Sequence, residues 1–277
     1  MSDQKREVLN RALWRACEAS DLAAVKKAIA QGADVNCFNA DPSDMERAGF
    51  TPLHIAWDPA VAEALIQAGA DASDEADFGI QPIHTCRDAA VAKILIAAGA
   101  DPNARDDYGR TAAHRGPLGL DALRALIEAG ADPNARDKNG RTPLHCAEAP
   151  SAIDLLIQAG ADPNARDKYG GTPLHWPINA SRASRLIELG ADPKLGDNMG
   201  CTPLHLALFE DVARALIQGG ADLDARDKNG ETPLEAARSK KCYEVADAIL
   251  QRLASLESDD IASALGHAGS NGKSRSL

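Results

Sequence analysis

A sequence repeat of 30 or 31 residues extends along most of this chain. Its opening, Thr-Pro-Leu-His or a variant of it, starts at Thr51, Gln81, Thr111, Thr142, Thr172, Thr202 and Thr232. A fixed period of about 20 to 50 residues is typical of solenoids, in which each layer packs on its neighbours. Aromatic residues make up only 4% of the chain, which suits small stacked layers. The repeat therefore predicts a stack of similar layers instead of one large core.

The remainder of each repeat also follows a common pattern. Gly-Ala-Asp follows the second apolar segment, as at 160–162, and Asp-x-x-Gly precedes the next opening, as at 137–140. With the Thr-Pro-Leu-His opening, this pattern resembles the ankyrin repeat, whose unit is a β-turn and two helices. The resemblance covers roughly residues 5 to 255 and implies an all-α repeat solenoid of paired antiparallel helices with β-turn fingers. The inner repeats are three residues shorter than the family's usual length of about 33.

The repeat boundaries predict one domain, 1–255, with eight layers. Residues 5–36 lack the Thr-Pro opening but have apolar residues at helical spacing, so they are the predicted N-terminal cap. Inner repeats start near residues 46, 76, 106, 137, 167 and 197. Residues 227–255 form a longer last repeat, the predicted C-terminal cap. Residues 256–277 are rich in Ser and Gly, and we expect them to be disordered.

We expect the three missing residues of each inner repeat to come from the end of the first helix and the turn after it. We expect first helices of about five to seven residues, in part 3₁₀ in character, and second helices of full length. The predicted N-caps of second helices are Asp58, Asp88 and Asn179. In the repeat at Thr111, Gly116, Pro117 and Gly119 are predicted to break the first helix.

The net charge indicates which kind of partner the chain can bind, and the spacing of its cysteines indicates the compartment. The net charge is -11, whereas nucleic-acid binding depends on Lys and Arg that neutralise phosphates. We therefore expect a protein partner with a basic or mixed-charge patch and no direct contact with nucleic acid. The chain has no apolar run of about 20 residues that would span a membrane, and it is expected to be a monomer. Six cysteines without Cys-x-x-Cys spacing favour free thiols and the cytoplasm; delivery into another cell stays open.

Six histidines recur in register with the repeat: His54, His84, His114, His145, His175 and His205. The resemblance implies that each ring hydrogen-bonds backbone of its own or the neighbouring turn. Rings about 10 Å apart cannot share a metal whose ligand bonds are about 2 Å. We therefore assign these histidines, with Thr51, Thr142, Thr172 and Thr202, to the structural repeat motif, and we predict no metal, no cofactor and no catalytic residue. An enzyme that depends on a metal or a thiol is the alternative, and it would need an activated cysteine.

Positions that packing does not dictate are the candidates for binding. The resemblance implies that residues four, three and one before each Thr project from the fingers toward a concave groove. With neighbouring first-helix positions, the predicted partner-binding residues are Phe50, Trp57, Phe78, Ile80, Tyr108, Arg110, Arg141, Tyr169, Trp176 and Met199. Clustered aromatic groups on a rigid surface are typical binding hot spots. The pattern thus predicts a non-enzymatic module that binds a protein through the groove and fingers.

Two other interpretations of these residues stay open. Phe78, Tyr108 and Tyr169 could pack only on neighbouring fingers, or the chain could be an acidic inhibitor that competes with nucleic acid for its partner. The first finger, 37–50, is seven residues longer than later ones and carries Phe38, Met45 and Phe50. Long loops on a rigid scaffold often carry function.

Overall fold

A computed structural model describes residues 3–39, 47, 49–115, 119–176 and 179–270, and only the backbone of 257 and 259–270. In these residues the regular structure is twelve α-helices and short 3₁₀ turns, with no strand. The chain is an all-α repeat solenoid, as the sequence predicts. It divides into two compact units, Met1–Asp162 (unit 1) and Pro163–Leu277 (unit 2), which are described separately.

Unit 1 contains the N-terminal helix pair and the first inner layers. Its helices are α1 (Asp3–Glu18), α2 (Leu22–Ala30), α3 (Pro59–Gln67), α4 (Ala89–Ala97), α5 (Leu120–Glu128), α6 (Pro143–Cys146) and α7 (Pro150–Gln158). Its 3₁₀ turns are Pro52–Ile55, Asp77–Gly79, Pro82–His84 and Ala112–His114.

Unit 2 contains the last layers. Its helices are α8 (Ala180–Glu188), α9 (Pro203–Leu206), α10 (Glu210–Gln218), α11 (Pro233–Ser239) and α12 (Tyr243–Ser270), and its 3₁₀ turn is Pro173–His175.

The second helix of each inner layer has nine residues, so the predicted full length is confirmed. The predicted N-caps are confirmed as well: Asp58 accepts the N–H of the third helical residue at 3.1 Å, Asp88 does so at 3.2 Å and Asn179 at 2.8 Å. Each helix closes on a glycine with positive φ. At Gly69 (φ +92) the reversal brings the N–H of Ala70 to the carbonyl of Leu65 at 3.0 Å.

The first helices are shorter than predicted. They contain three or four residues instead of about five to seven. Their partial 3₁₀ character is confirmed, since only α6 and α9 are α-helical. The backbone leaves the helix at Ala147 (ψ 123) and Ala207 (ψ 127), because the chain must extend to reach a second helix that starts three residues later. The predicted break at Gly116 and Pro117 lies outside the described residues, and Gly119 is the N-cap of α5.

In unit 2 a buried arginine compensates for one shortened first helix. Arg182 on α8 is 1% exposed, and its Nη1 donates to the carbonyls of Pro173 (3.1 Å) and Trp176 (2.5 Å). Carbonyls at a helix end have no partner within the helix. The guanidinium thus satisfies groups that the missing turn leaves open.

Histidine side chains connect adjacent layers. Nδ1 of His54 accepts the N–H of Thr51 at 3.0 Å, which places the ring proton on Nε2. Nε2 then donates to the carbonyl of Ile80 in the next layer at 2.8 Å. The same cross-layer bond joins His84 to Arg110 (3.2 Å), His114 to Arg141 (3.0 Å), His175 to Cys201 (3.0 Å) and His205 to Glu231 (3.0 Å).

The last helix extends beyond the predicted end of the repeat domain. The α12 helix continues to Ser270, whereas we expect the domain to end at 255. Residues 271–277 lie outside the described part of the chain. The single domain 1–255, its internal boundaries and the disordered tail stay predictions.

Replacing Leu144 with Ala should lower the free energy of unfolding by about 2 to 5 kcal/mol, because removal of a buried side chain leaves a cavity. Leu144 is fully buried. Chemical denaturation followed by circular dichroism measures the change. The matched control is Leu208→Ala, because Leu208 is 59% exposed and its loss should cost less than about 0.5 kcal/mol. Equal stability of Leu144→Ala and the unmodified chain would contradict this packing.

The protein should lose stability on mild acidification. Burial, and secondarily the nearby His84, lower the pKa of His54 to about 4, although its bond to Ile80 opposes this. An unfolded histidine titrates near pH 6.5, so the unfolded state takes up the proton first. The contribution of neutral His54 to the free energy of unfolding is complete above about pH 6.5 and is lost as the pH falls toward 4. At pH 5 the free energy of unfolding should be lower by about 2 kcal/mol. Nitrogen NMR of the His54 ring gives its pKa and tautomer, and chemical denaturation at pH 6.5 and pH 5 gives the change in the free energy of unfolding. A His54 pKa at or above 6.5, or a proton on Nδ1, would contradict it.

Candidate functional site

From residue 106 onward the fingers are tight turns organised by an aspartate at their base. In the finger 106–110, Oδ1 of the buried Asp106 accepts the N–H groups of Tyr108 and Arg110, both at 2.9 Å. The N–H of Asp106 donates to the carbonyl of Arg110 at 2.9 Å. One carboxylate thus fixes the turn that presents the fingertip side chain.

Adjacent fingers in unit 1 are joined through their backbones. The N–H of Asp107 donates to the carbonyl of Phe78, and the N–H of Lys138 donates to the carbonyl of Tyr108, each at 2.8 Å. Gly109 has φ +75, and a Cβ there would lie 3.0 Å from the nitrogen of Lys138, so this contact requires glycine. These backbone hydrogen bonds therefore hold together the adjacent fingers that carry Phe78 and Tyr108.

Phe78 and Tyr108 form an exposed aromatic pair on neighbouring fingers. Their side chains are 57% and 50% exposed, and their ring centroids are 6.2 Å apart. Phe78 has φ +65, a left-handed conformation that is unusual for a bulky residue. Its finger has Ala76 where the next one has Asp106, so no side chain there accepts the fingertip N–H. The turn is closed by backbone bonds between Ala76 and both Gly79 and Ile80.

Arg110 and a second arginine share the carboxylate of Asp106. Nε and Nη2 of Arg110 lie 2.8 Å from Oδ2, and Nη2 of Arg115 lies 3.5 Å from the same oxygen. Burial would raise the pKa of Asp106, but the backbone and side-chain bonds from Arg110 outweigh it and lower that pKa. The guanidinium of Arg110 also lies 4.8 Å from the ring of Tyr108. Arg115 was not among the predicted residues, although it occupies the same repeat position as Trp176.

Trp57 is half-buried and lies against two guanidinium groups. Arg87 is 5.0 Å and Arg47 is 6.0 Å from the ring centroid. Such cation–π contacts are favourable. Arg47 also pairs with Glu18 of α1 at 2.8 Å. The predicted site residue Trp57 is thus partly engaged within the chain.

The remaining predicted residues of unit 1 are half-buried and contribute to the scaffold. Phe50 stacks on His54 with centroids 4.8 Å apart, and Ile80 provides the carbonyl that His54 binds. The N–H of Arg141 donates to Asp137 at 2.9 Å. These side chains flank the exposed pair but present less surface to a partner.

The first finger is described only at its two ends. Phe38 is 59% exposed, and the N–H of Asn39 donates to the carbonyl of Phe50 at 2.8 Å. Met45 and the predicted repeat start near residue 46 lie outside the described residues.

Unit 2 presents its own exposed side chains. Tyr169 is 60%, Trp176 47% and Met199 54% exposed. A Cβ on Gly171 would lie 3.3 Å from the indole nitrogen of Trp176, so the glycine leaves room for that ring. These residues belong to unit 2, whereas the fingers that carry Phe78 and Tyr108 belong to unit 1.

Four of the six cysteines have raised pKa values, and the described part of the chain has no cluster of metal ligands. Burial raises the pKa of Cys17, Cys37 and Cys86 to about 12, and it also raises that of Cys201. A protonated thiol is a poor nucleophile. Within the described ranges no cluster of His, Cys, Asp or Glu could hold a metal ion, and no helix is long and apolar enough to cross a bilayer.

Comparison with known families agrees with this architecture. The family model described as "Ankyrin repeats (3 copies)" matches residues 116–193 and 179–260, together more than half of the chain. No curated protein matches the sequence. Ankyrin repeats are protein–protein interaction modules and are typically non-enzymatic. The repeat pattern, the helical layers and this match show that the chain belongs to the ankyrin-repeat family.

Proposed function

We propose that the chain binds a protein partner through one face of unit 1. This Arg–aromatic surface consists of Trp57, Phe78, Tyr108, Arg110 and Arg115. The observation that carries the proposal is the exposed pair formed by Phe78 and Tyr108, one member of which is held in a left-handed conformation. We propose no catalytic reaction for the chain.

The energetics of Phe78 favour binding over packing as its role. A non-glycine residue in the left-handed region costs about 1 to 3 kcal/mol. Contact with Tyr108 contributes about 0.5 to 1.5 kcal/mol, and Phe78 and Tyr108 remain 57% and 50% exposed. Packing within the chain therefore gives little reason for a phenyl ring at this position. Contact with a partner supplies one.

The surface is also preorganised. Neighbouring fingers share backbone hydrogen bonds of 2.8 Å, and aromatic side chains have few rotatable bonds. Binding therefore costs little conformational entropy. Tyr, Trp and Arg are the residues most enriched in binding hot spots, and all three occur in the Arg–aromatic surface.

The charge distribution supports a partner of mixed charge. The net charge of -11 favours approach of a basic surface, and Asp77 and Asp107 are exposed at the fingertips. Arg110 and Arg115 add positive charge to the same surface. The free cysteines support a reducing compartment, and we include a cytoplasmic, monomeric chain in the proposal.

The alternatives fit this surface less well. A mimic of nucleic acid should be acidic where it meets its partner, whereas this surface contains two arginines beside the exposed rings. A thiol enzyme needs a thiolate, whereas burial raises the pKa of three cysteines to about 12.

The double substitution Phe78→Asp/Tyr108→Asp should weaken partner binding about tenfold or more, or about 1.4 kcal/mol. Thermal unfolding should hardly change, because both rings are exposed. Affinity capture from native lysate identifies the partner, and titration of the purified partner measures the affinity. Tyr243→Asp is the matched control, since Tyr243 is 62% exposed and starts α12. A steep drop in melting temperature would show that the rings pack, and unchanged affinity would place the contact elsewhere.

The single substitution Phe78→Gly separates backbone strain from binding. Glycine adopts positive φ without steric cost, so melting temperature should stay level or rise while partner affinity falls. Differential scanning calorimetry with the same titration tests both quantities. A loss of more than about 1 kcal/mol in stability would mean that ring packing exceeds the cost of the left-handed conformation.

A further inference from the structure

The carboxylate of Asp106 cannot neutralise the arginines around it. Its Oδ1 is taken by two backbone N–H groups, and its Oδ2 faces both Arg110 and Arg115. One negative charge is thus shared by two positive charges, which leaves this cluster with an excess of one positive charge.

Arg115 is the less well satisfied of the two. Its only hydrogen bond to Asp106 is 3.5 Å long, at the limit of the interaction. Its Nε is buried and has no hydrogen-bond partner, which is unfavourable for a charged donor. Burial and then the charge of Arg110 lower the pKa of Arg115. Part of its side chain, 24%, stays exposed, as does 37% of Arg110.

The repeat scaffold does not require an arginine at this position. The equivalent residues of the other layers in unit 1 are Ile55, Thr85 and Cys146. None of these side chains is charged and they differ in size and polarity, yet each layer has a first helix of three or four residues. Arg115 is therefore a feature of one layer rather than of the fold.

The positive cluster lies next to the exposed rings, on fingers that also carry exposed aspartates. Arg110 lies 4.8 Å from the ring of Tyr108, which stacks on Phe78. At the fingertips, Oδ1 of Asp107 lies 3.0 Å from where a Cβ of Gly79 would be, so this acid sits over the preceding finger. A partner thus meets apolar rings, then a positive region within the same surface.

We propose that the partner presents an Asp or Glu carboxylate to Arg110 and Arg115, beside an apolar or aromatic side chain that packs on Phe78 and Tyr108. This inference rests on the proposed function and adds the chemistry of the bound segment. A carboxylate accepts paired hydrogen bonds from guanidinium groups. It would supply the negative charge that the cluster lacks, next to two partly buried guanidinium groups.

A displayed library of unmodified random peptides tests the chemistry on the full chain. Peptides that bind the chain but not Phe78→Asp/Tyr108→Asp should be enriched in Asp or Glu near an aromatic residue. Peptides without acidic enrichment, or enriched in Lys and Arg, would overturn the carboxylate and leave the proposed function standing. Recovery of no peptide that depends on the two rings would overturn both.

A synthetic copy of the selected peptide then tests the arginine by fluorescence anisotropy. Arg115→Gln should lower its affinity about tenfold, whereas Arg115→Lys keeps the charge and should restore most of it. Arg110 stays paired with Asp106 in both variants. The matched control is Arg124→Gln, which removes one charge from an exposed position on α5 of the same layer and should leave affinity unchanged.

A charge change in the peptide avoids any dependence on folding of the variant. Replacing the peptide's Glu with Gln, or its Asp with Asn, should weaken binding to the unmodified chain about tenfold and have little further effect on Arg115→Gln. Equal affinities of acid and amide peptides for the unmodified chain would overturn the proposal.

Discussion

The hydrogen bond from a neutral histidine to the next layer is the interaction on which this architecture depends. A first helix of three or four residues cannot be stable alone, because helix nucleation is unfavourable and so short a helix forms too few hydrogen bonds to offset it. The Thr–His pair closes that single turn, and Nε2–H of the histidine donates a hydrogen bond to a carbonyl of the following finger. Each short turn is therefore stabilised by the layer beside it. The bond requires an uncharged ring with its proton on Nε2, and burial maintains that state for His54.

This arrangement separates scaffold from recognition. Bonds from His and Asp side chains and between adjacent fingers use the backbone polar groups, so the fingertip side chains carry little of the stacking. Those positions can then vary without loss of the fold. Phe78 at a fingertip and Arg115 at a first-helix position both depart from what the scaffold needs: Phe78 has an unfavourable backbone angle, and Arg115 has an unsatisfied donor. Both features lie within the same surface, which is why we assign binding to it.

The sequence predicts the scaffold better than the surface. The repeat period indicates the stack, and Asp58, Asp88 and Asn179 are recognisable as N-caps because side chain and position suffice to define a cap. Because the second helices are complete, the three missing residues of each inner repeat indicate a shortened first helix. The repeat length does not show that the backbone becomes extended at Ala147 and Ala207. The predicted first-helix length of about five to seven residues is therefore wrong. The left-handed angle at Phe78 and the unpaired Nε of Arg115 are properties of the folded chain. Neither can be inferred from one repeat read alone.

The central claim is that the exposed rings of unit 1 form the contact with the partner. Hydroxyl-radical footprinting of the chain, free and bound to its captured partner, measures this at individual side chains. The account predicts that Phe78 and Tyr108 lose reactivity in the complex, while Phe209 and Tyr243, which are 59% and 62% exposed, keep theirs. Protection of Phe209 or Tyr243 with Phe78 and Tyr108 still reactive would contradict it.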